Sequence, residues 1–175
     1  MTSVAGLAFE DEMRLGLRGM VRRVWAPRGL KLRQAVQLVY EWRYLVLAVD
    51  GLKGRLWWRW TPSMKKEPLR AVLNEWQQDG LRALVWDGAP AHQSRLVREA
   101  ELVLVRQPPA APELNPAERV FEELRRAVEG RVYASLEAKA EAVEGVLRAL
   151  AADPLAVQRL AGWPWIQDAL TAFAA

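Results

Sequence analysis

With 175 residues, 51% hydrophobic and 26% charged, the chain is sized and balanced for one domain with a proper core. It has no cysteine and one histidine, which excludes disulfides, thiolate metal sites and a multi-histidine zinc centre within one chain; a metal here is expected to be a hard cation held by oxygen, such as Mg²⁺ or Mn²⁺. The net charge of +4 is uneven: residues 1–66 carry a net of +8 and residues 67–175 a net of −4, so the basic half suits a polyanion such as nucleic acid, although a basic face without that role explains it equally well. No apolar run approaches the roughly 18 residues needed to span a bilayer. Met1-Thr2-Ser3-Val4 shows no basic start followed by an apolar stretch, so a cytoplasmic protein is expected, with no membrane partner.

Val4 to Phe9 is a short apolar run that reads as a buried strand ending at Glu10-Asp11-Glu12. Leu15 to Val24 is basic and irregular, a hairpin or loop carrying Arg14, Arg18, Arg22 and Arg23 around it, and Trp25-Ala26-Pro27-Arg28-Gly29 is a turn. From Arg33 the pattern alternates again, with Ala35, Gln37 and Val39 opposite Val36, Leu38 and Tyr40. The near-continuous apolar run Tyr44–Val49 suits a central strand. Asp50-Gly51 with Lys53-Gly54 marks a hairpin turn, and Arg55–Thr61 is the return strand, with Trp58 and Trp60 on one face and Trp57 and Arg59 on the other. Those tryptophans can stack on bases, but a central hairpin uses them more simply as core or dimer contacts.

Glu67 to Asp79 is a helix with Leu69, Val72, Leu73 and Trp76 on one stripe, stopped by Gly80. Leu81–Trp86 is the next strand, Ala91–Glu99 a short helix after Pro90, and Leu102–Val105 a four-residue strand. Asn115 to Gly130 is the best-delimited helix: Asn115 suits the N-cap, Pro116 the first turn, and Ala117, Val120, Phe121, Leu124 and Val128 form its stripe. Ser135–Ala151 is another, turning Ala138, Ala142, Val143, Val146, Leu147 and Leu150 inward. Pro154–Leu160 and Trp165–Phe173 are short helices. A meander followed by β-α-β units predicts an α/β fold: a mixed sheet of about five strands with helices on both faces, in the order of the ribonuclease H-like fold. The chain is expected to be a single domain over 1–175, with a core of about 4–130 and a helical tail of about 131–175.

Acidic residues at strand ends carry the chemistry. Asp87 follows the strand ending at Trp86. If that strand and the first are parallel neighbours, Asp87 and one of Glu10, Asp11 and Glu12 emerge at the same sheet edge, where open α/β sheets bind ligands. Glu118, in the first turn of its helix, can swing to that edge. Three carboxylates repel unless divalent cations neutralise them, and two such cations can activate an attacking oxygen and stabilise a leaving one at a phosphodiester. Each residue also has a structural alternative: a plain turn at Asp87-Gly88, a capping box between Asn115 and Glu118, and a solvated acidic turn around Asp11. Asp50 is explained by its hairpin, and His92 either contacts a phosphate or helps position the nucleophile, or hydrogen-bonds locally.

Asp87-Gly88-Ala89-Pro90-Ala91-His92 resembles the "DNAPxH" motif of mariner-related DDE transposases of bacterial insertion sequences. Pro108-Pro109-Ala110-Ala111-Pro112-Glu113-Leu114-Asn115-Pro116-Ala117-Glu118 resembles their "PPYSPELNPIE" motif. Phe9-Glu10-Asp11-Glu12, with Trp25 to Gly29 after it, is similar to their first-aspartate block. The resemblance covers about residues 5–130 and selects Asp11 from the acidic cluster. It implies a ribonuclease H-like catalytic domain in which Asp11, Asp87 and Glu118 are catalytic and hold Mg²⁺ or Mn²⁺, with two metals expected. The implied activity is cleavage of DNA phosphodiesters at transposon ends followed by strand transfer; the alternatives are an inactive remnant that only binds DNA or a partner, or a nuclease that cuts without joining. DNA is the implied partner, contacted by Arg14, Arg22, Arg23, Arg28, Lys31 and His92. The active complex is expected to be a homo-oligomer, with a separate chain supplying the helix-turn-helix DNA-binding domain that such proteins carry. Gly88 stands where the family has Asn, Ala110-Ala111 where it has Tyr-Ser, and the Asp87–Glu118 segment is a few residues short around Glu99.

Overall fold

The structure, a computed structural model, describes residues 6–19, 25–99, 101–109 and 111–174. Five strands form one mixed sheet: β1 (Leu7–Gly16), β2 (Trp42–Asp50), β3 (Arg55–Thr61), β4 (Ala83–Trp86) and β5 (Val103–Arg106), in spatial order β3-β2-β1-β4-β5. The β1-β2-β3 half is antiparallel, while β4 runs parallel to both β1 and β5. The helices are α1 (Lys66–Gln78), α2 (Arg95–Arg98), α3 (Ala117–Val128), α4 (Leu136–Ala151), α5 (Pro154–Ala161) and α6 (Pro164–Ala174). Among them no helix is long and apolar enough to cross a membrane.

Helices cover both faces of the sheet, which is why β2 is apolar without alternation. Leu45, Leu47 and Val49 pack with α3, α4 and α5 in one core; Val46 and Ala48 pack with Leu69, Leu73 and Trp76 of α1 in the other. The tryptophans divide as their alternation predicts. Trp57 joins the α1 core, whereas the Trp58 and Trp60 indole N–H groups both donate to the Glu144 carboxylate on α4, at 3.0 and 2.9 Å. They are fastened to the fold rather than offered to a base. The β2–β3 turn closes as its Asp-Gly sequence suggests, with Asp50 Oδ1 accepting from the Leu52 and Lys53 amides and Gly54 at φ +66. A Cβ on Gly54 would overlap the Pro154 backbone, so this turn is where the helical tail docks.

Four expectations need correction. The first strand does not stop at Phe9: β1 runs on to Gly16, and the acidic triplet lies inside it, because β2 pairs with it from Phe9 to Gly16 and satisfies its backbone whatever its side chains. Its expected start at Val4 and Ala5 lies outside the described residues. No strand forms over Arg33–Tyr40, where the alternating residues are exposed, Leu38 at 71% and Tyr40 at 66%. This segment meets the sheet end only through Gly19 N–H to Gln37 O and Leu17 N–H to Glu41 O, too few contacts to bury a face. The helix expected over Ala91–Glu99 shrinks to Arg95–Arg98, capped by Ser94, because His92 is drawn into the interior. In α4, Ala138 is exposed, and the helix instead buries Lys139, whose ammonium donates to the Gly16 carbonyl at 2.7 Å.

Candidate active site

The register of β1 against β4 decides where the acids go. Phe9 pairs with Val85, so two residues on, Asp11 stands level with Asp87 just past the end of β4. Alternation turns Asp11 to the face of Phe9 and Met13, under α3, and sends Glu10 and Glu12 to the face of Ala8, beside His92. α3 brings Glu118 to the same mouth. Asp11, Asp87 and Glu118, separated by up to 107 positions of sequence, line one open cavity of about 380 Å³ with Arg106, Gln107, Asn115 and the Pro108–Pro112 loop.

Each carboxylate is held by a named neighbour. Asn115 Oδ1 accepts from the Ala117 amide at 3.0 Å, which is the helix cap read from the sequence. Its Nδ2 also donates to the Glu10 carbonyl at 2.8 Å and to Asp11 Oδ2 at 3.2 Å, so one buried amide starts α3, anchors it to β1 and orients Asp11. The capping box is not the role of Glu118. The Asn115 amide donates to the Pro112 carbonyl instead, and Glu118 Oε2 accepts from Arg125 at 3.3 Å, one helical double-turn on. Asp87 Oδ1 accepts from the Ala89 amide and meets His92 Nδ1, each at 2.8 Å.

The electrostatics are unbalanced. Burial, opposed by the Glu12 amide and reinforced by the Glu118, Glu12 and Asp87 charges, pushes the Asp11 carboxyl up to about 7. Burial drives Glu10 well above the ordinary glutamate range, and the charges of Glu12, Asp11 and Asp87 add to it. Burial alone would lower the His92 pKa, but the hydrogen bond and charge of Glu12, with Asp87, outweigh it and hold the ring above its usual value. His92 is buried, stacked on Trp86 with centroids 4.3 Å apart, and does not face solvent.

Of the basic residues expected to meet DNA, Arg14, Arg28 and Lys31 are exposed, while Arg22 and Arg23 lie outside the described residues. Arg14 and Arg18 line a second cavity of about 610 Å³ with Arg125, Arg131 and Lys139. Because Arg125 also touches Glu118, this basic groove adjoins the acidic mouth. Sequence reading missed Arg125 and Arg131, since they sit in and after a helix among acidic residues. Arg106 was missed too. A Cβ at position 88 would fall within its guanidinium, so the glycine that departs from the family pattern is what lets Arg106 lie beside Asp87.

A family model described as "DDE superfamily endonuclease" matches residues 6–138. No curated protein matches in sequence. Among solved structures, the chain is similar to a Mos1 transposase paired-end complex with left transposon end, at 13% identity and a TM-score of 0.69 over 91% of this chain and 52% of that one. It is also similar to the mariner Mos1 paired-end complex with Mg, at 17% identity and a TM-score of 0.66 over 90% and 51%. The catalytic core domain of BIV integrase matches at 13% identity and a TM-score of 0.50, over 84% and 81%. These likenesses show the ribonuclease H-like fold, and the chain spans about half the length of the Mos1 chains it matches.

Proposed function

The chain belongs to the DDE superfamily endonucleases, and from that premise we propose that it is the catalytic domain, over 1–175, of a metal-dependent transposase that cleaves DNA at transposon ends and joins the cut strand to a target. The observation that carries this reading is the meeting of Asp11, Asp87 and Glu118 around one cavity.

The donor set fits Mg²⁺ or Mn²⁺: three carboxylates, no nitrogen or sulfur, and an Asp11 proton held up to about 7 where a dication would displace it. The Mos1 complex with Mg supports the same cofactor for a relative of this fold. When bound, such ions polarise the phosphodiester and make the attacking oxygen nucleophilic at neutral pH. The chain's own residues do the rest. Asn115 fixes Asp11, Ala89 and His92 fix Asp87, and Arg125 restrains Glu118, so the acids are preorganised on β1, β4 and α3. Arg14, Arg18, Arg125 and Arg131 line the groove in which the DNA backbone would run, with Arg28 and Lys31 on the exposed segment beyond. As in the Mos1 paired-end complexes, DNA ends would be handled by more than one copy, in the cytoplasm, with end recognition supplied by a helix-turn-helix on a separate chain.

Supercoiled plasmid incubated with the protein and Mn²⁺ tests the proposal. Nicked and linear DNA should form with the wild type and not with Asp87→Ala. Cleavage that survives this substitution removes the site. Strand-joined products distinguish a transposase from a nuclease that only cuts.

A further inference from the structure

The opposite face of β1 holds a second constellation that the proposed cleavage chemistry does not use. Glu10 is 1% exposed, and neither carboxylate oxygen has a hydrogen-bond partner among the described residues. Burying an acid this way is costly unless something compensates it. Its oxygens, a Glu12 oxygen and a His92 ring nitrogen supply three ligand atoms that all lie within 4.8 Å of one another. Asp11, Asp87 and Glu118, which surround a wider opening, form no such close group.

The histidine explains what the pocket is built for. Its Nδ1 lies 2.8 Å from Asp87 Oδ1, which keeps the ring proton on that side. Nε2 then points its lone pair at Glu12 Oε1, 2.9 Å away, and towards Glu10 Oε2, 3.9 Å away. Acceptors facing one another need a cation between them. A second ring proton would satisfy Glu12 but leaves Glu10 stranded beyond hydrogen-bond reach. A divalent ion between the three atoms satisfies all of them, and its two charges balance the two glutamates. A carboxylate behind the non-ligating nitrogen is also how proteins orient histidines that bind metals.

We propose that Glu10, Glu12 and His92 form a transition-metal site on the closed face of β1, distinct from the Asp11–Asp87–Glu118 cavity and joined to it through the His92–Asp87 contact. One imidazole with two carboxylates selects Mn²⁺, Co²⁺ or Zn²⁺ over Mg²⁺. An ion here would brace β1 against the loop carrying Asp87, and so hold that aspartate from behind.

His92 is the chain's one histidine, which makes the test clean. The Asp11→Asn/Glu118→Gln double variant, full length and stripped of metal, is titrated with Mn²⁺ and read by pulsed electron paramagnetic resonance. One bound Mn²⁺ per chain with nitrogen-14 coupling from a single imidazole is expected. Adding Glu10→Gln should weaken binding by about tenfold or more, with the circular dichroism spectrum unchanged. Bound Mn²⁺ without nitrogen coupling, or no binding at millimolar Mn²⁺, overturns the site, and neither result bears on plasmid cleavage by the wild type.

Discussion

Three consecutive acids on β1 meet opposite fates. Asp11 turns to an open cavity that two other carboxylates share, and its neighbours Glu10 and Glu12 turn to a closed pocket lined by His92. One backbone, by alternation alone, thus presents a reactive acid on one side and a structural cluster on the other. Charge density along the sequence therefore says little about chemistry. What decides is which face is roofed by α3, whose first turn brings another acid, and which is closed by Trp86 and the His92 loop.

The sharpest way to break that contrast is at Asp11. Asp11→Asn keeps the shape and an acceptor for Asn115, so the fold should persist. Plasmid cleavage with Mn²⁺ should fall about a thousandfold or more, as expected when a ligand of a phosphoryl-transfer metal is lost. A fall of less than tenfold would move the reaction elsewhere.

The pH dependence of stability tests both faces together. Asp11 titrates near 7 in the fold against an ordinary carboxyl when unfolded, and Glu10 is raised as well. An acid whose folded pKa is raised contributes stability below its unfolded value and loses it as pH rises through the folded one. His92, also raised, has the same sign: its contribution is present below the usual histidine value and lost above its folded pKa. The metal-free protein should therefore lose stability between about pH 4 and pH 8, on the order of 2–4 kcal/mol for Asp11 alone. Thermal melts across that range should show it, Mn²⁺ should restore stability at high pH, and Asp11→Asn should flatten the curve. Melting temperatures that climb with pH would contradict the assignment.

Asn115 joins the two faces, since its amide bonds both the Glu10 carbonyl and Asp11 while capping α3. Asn115→Ala removes a cap and leaves buried groups unpaired, a loss of about 1–3 kcal/mol by denaturant unfolding. Asn115→Asp retains the cap but adds a further buried charge beside Asp11, so it should rescue stability least at high pH.

The sheet was legible because its signals are local: the apolar run of β2, the Asp-Gly turn, and the stripes of α1 and α3 each announce themselves within a dozen residues. Asp11, Asp87 and Glu118 were legible only through motif resemblance, since the parallel register of β1 and β4 that aligns them is a long-range fact. Two kinds of signal misled. Alternation over Arg33–Tyr40 looked like a strand but has no partner edge, and the 3.6-residue period in α4 placed Ala138 inward where the end of β1 takes Lys139. His92 reads as a surface residue after a proline, and nothing in the sequence reveals that Glu12, eighty positions earlier, lies 2.9 Å from its ring.

The smallest effect concerns the groove beside the acids. Arg131 follows the end of α3 and lines that groove with Arg14, Arg18 and Arg125, whereas Arg43, also on the basic half of the chain, is tied to Glu137 at 2.8 Å. An arginine that neutralises a DNA phosphate displaces a condensed counterion, so its removal is read in the salt dependence more clearly than in affinity at one salt concentration. Arg131→Ala should lower the magnitude of the slope of log K against log salt by about 0.9 for duplex DNA, and weaken binding to all sequences alike. Arg43→Ala should leave the slope unchanged, because that guanidinium already spends its charge on a carboxylate. Equal slopes for the two variants would place the DNA path away from α3, and with it the route by which a phosphodiester reaches Glu118.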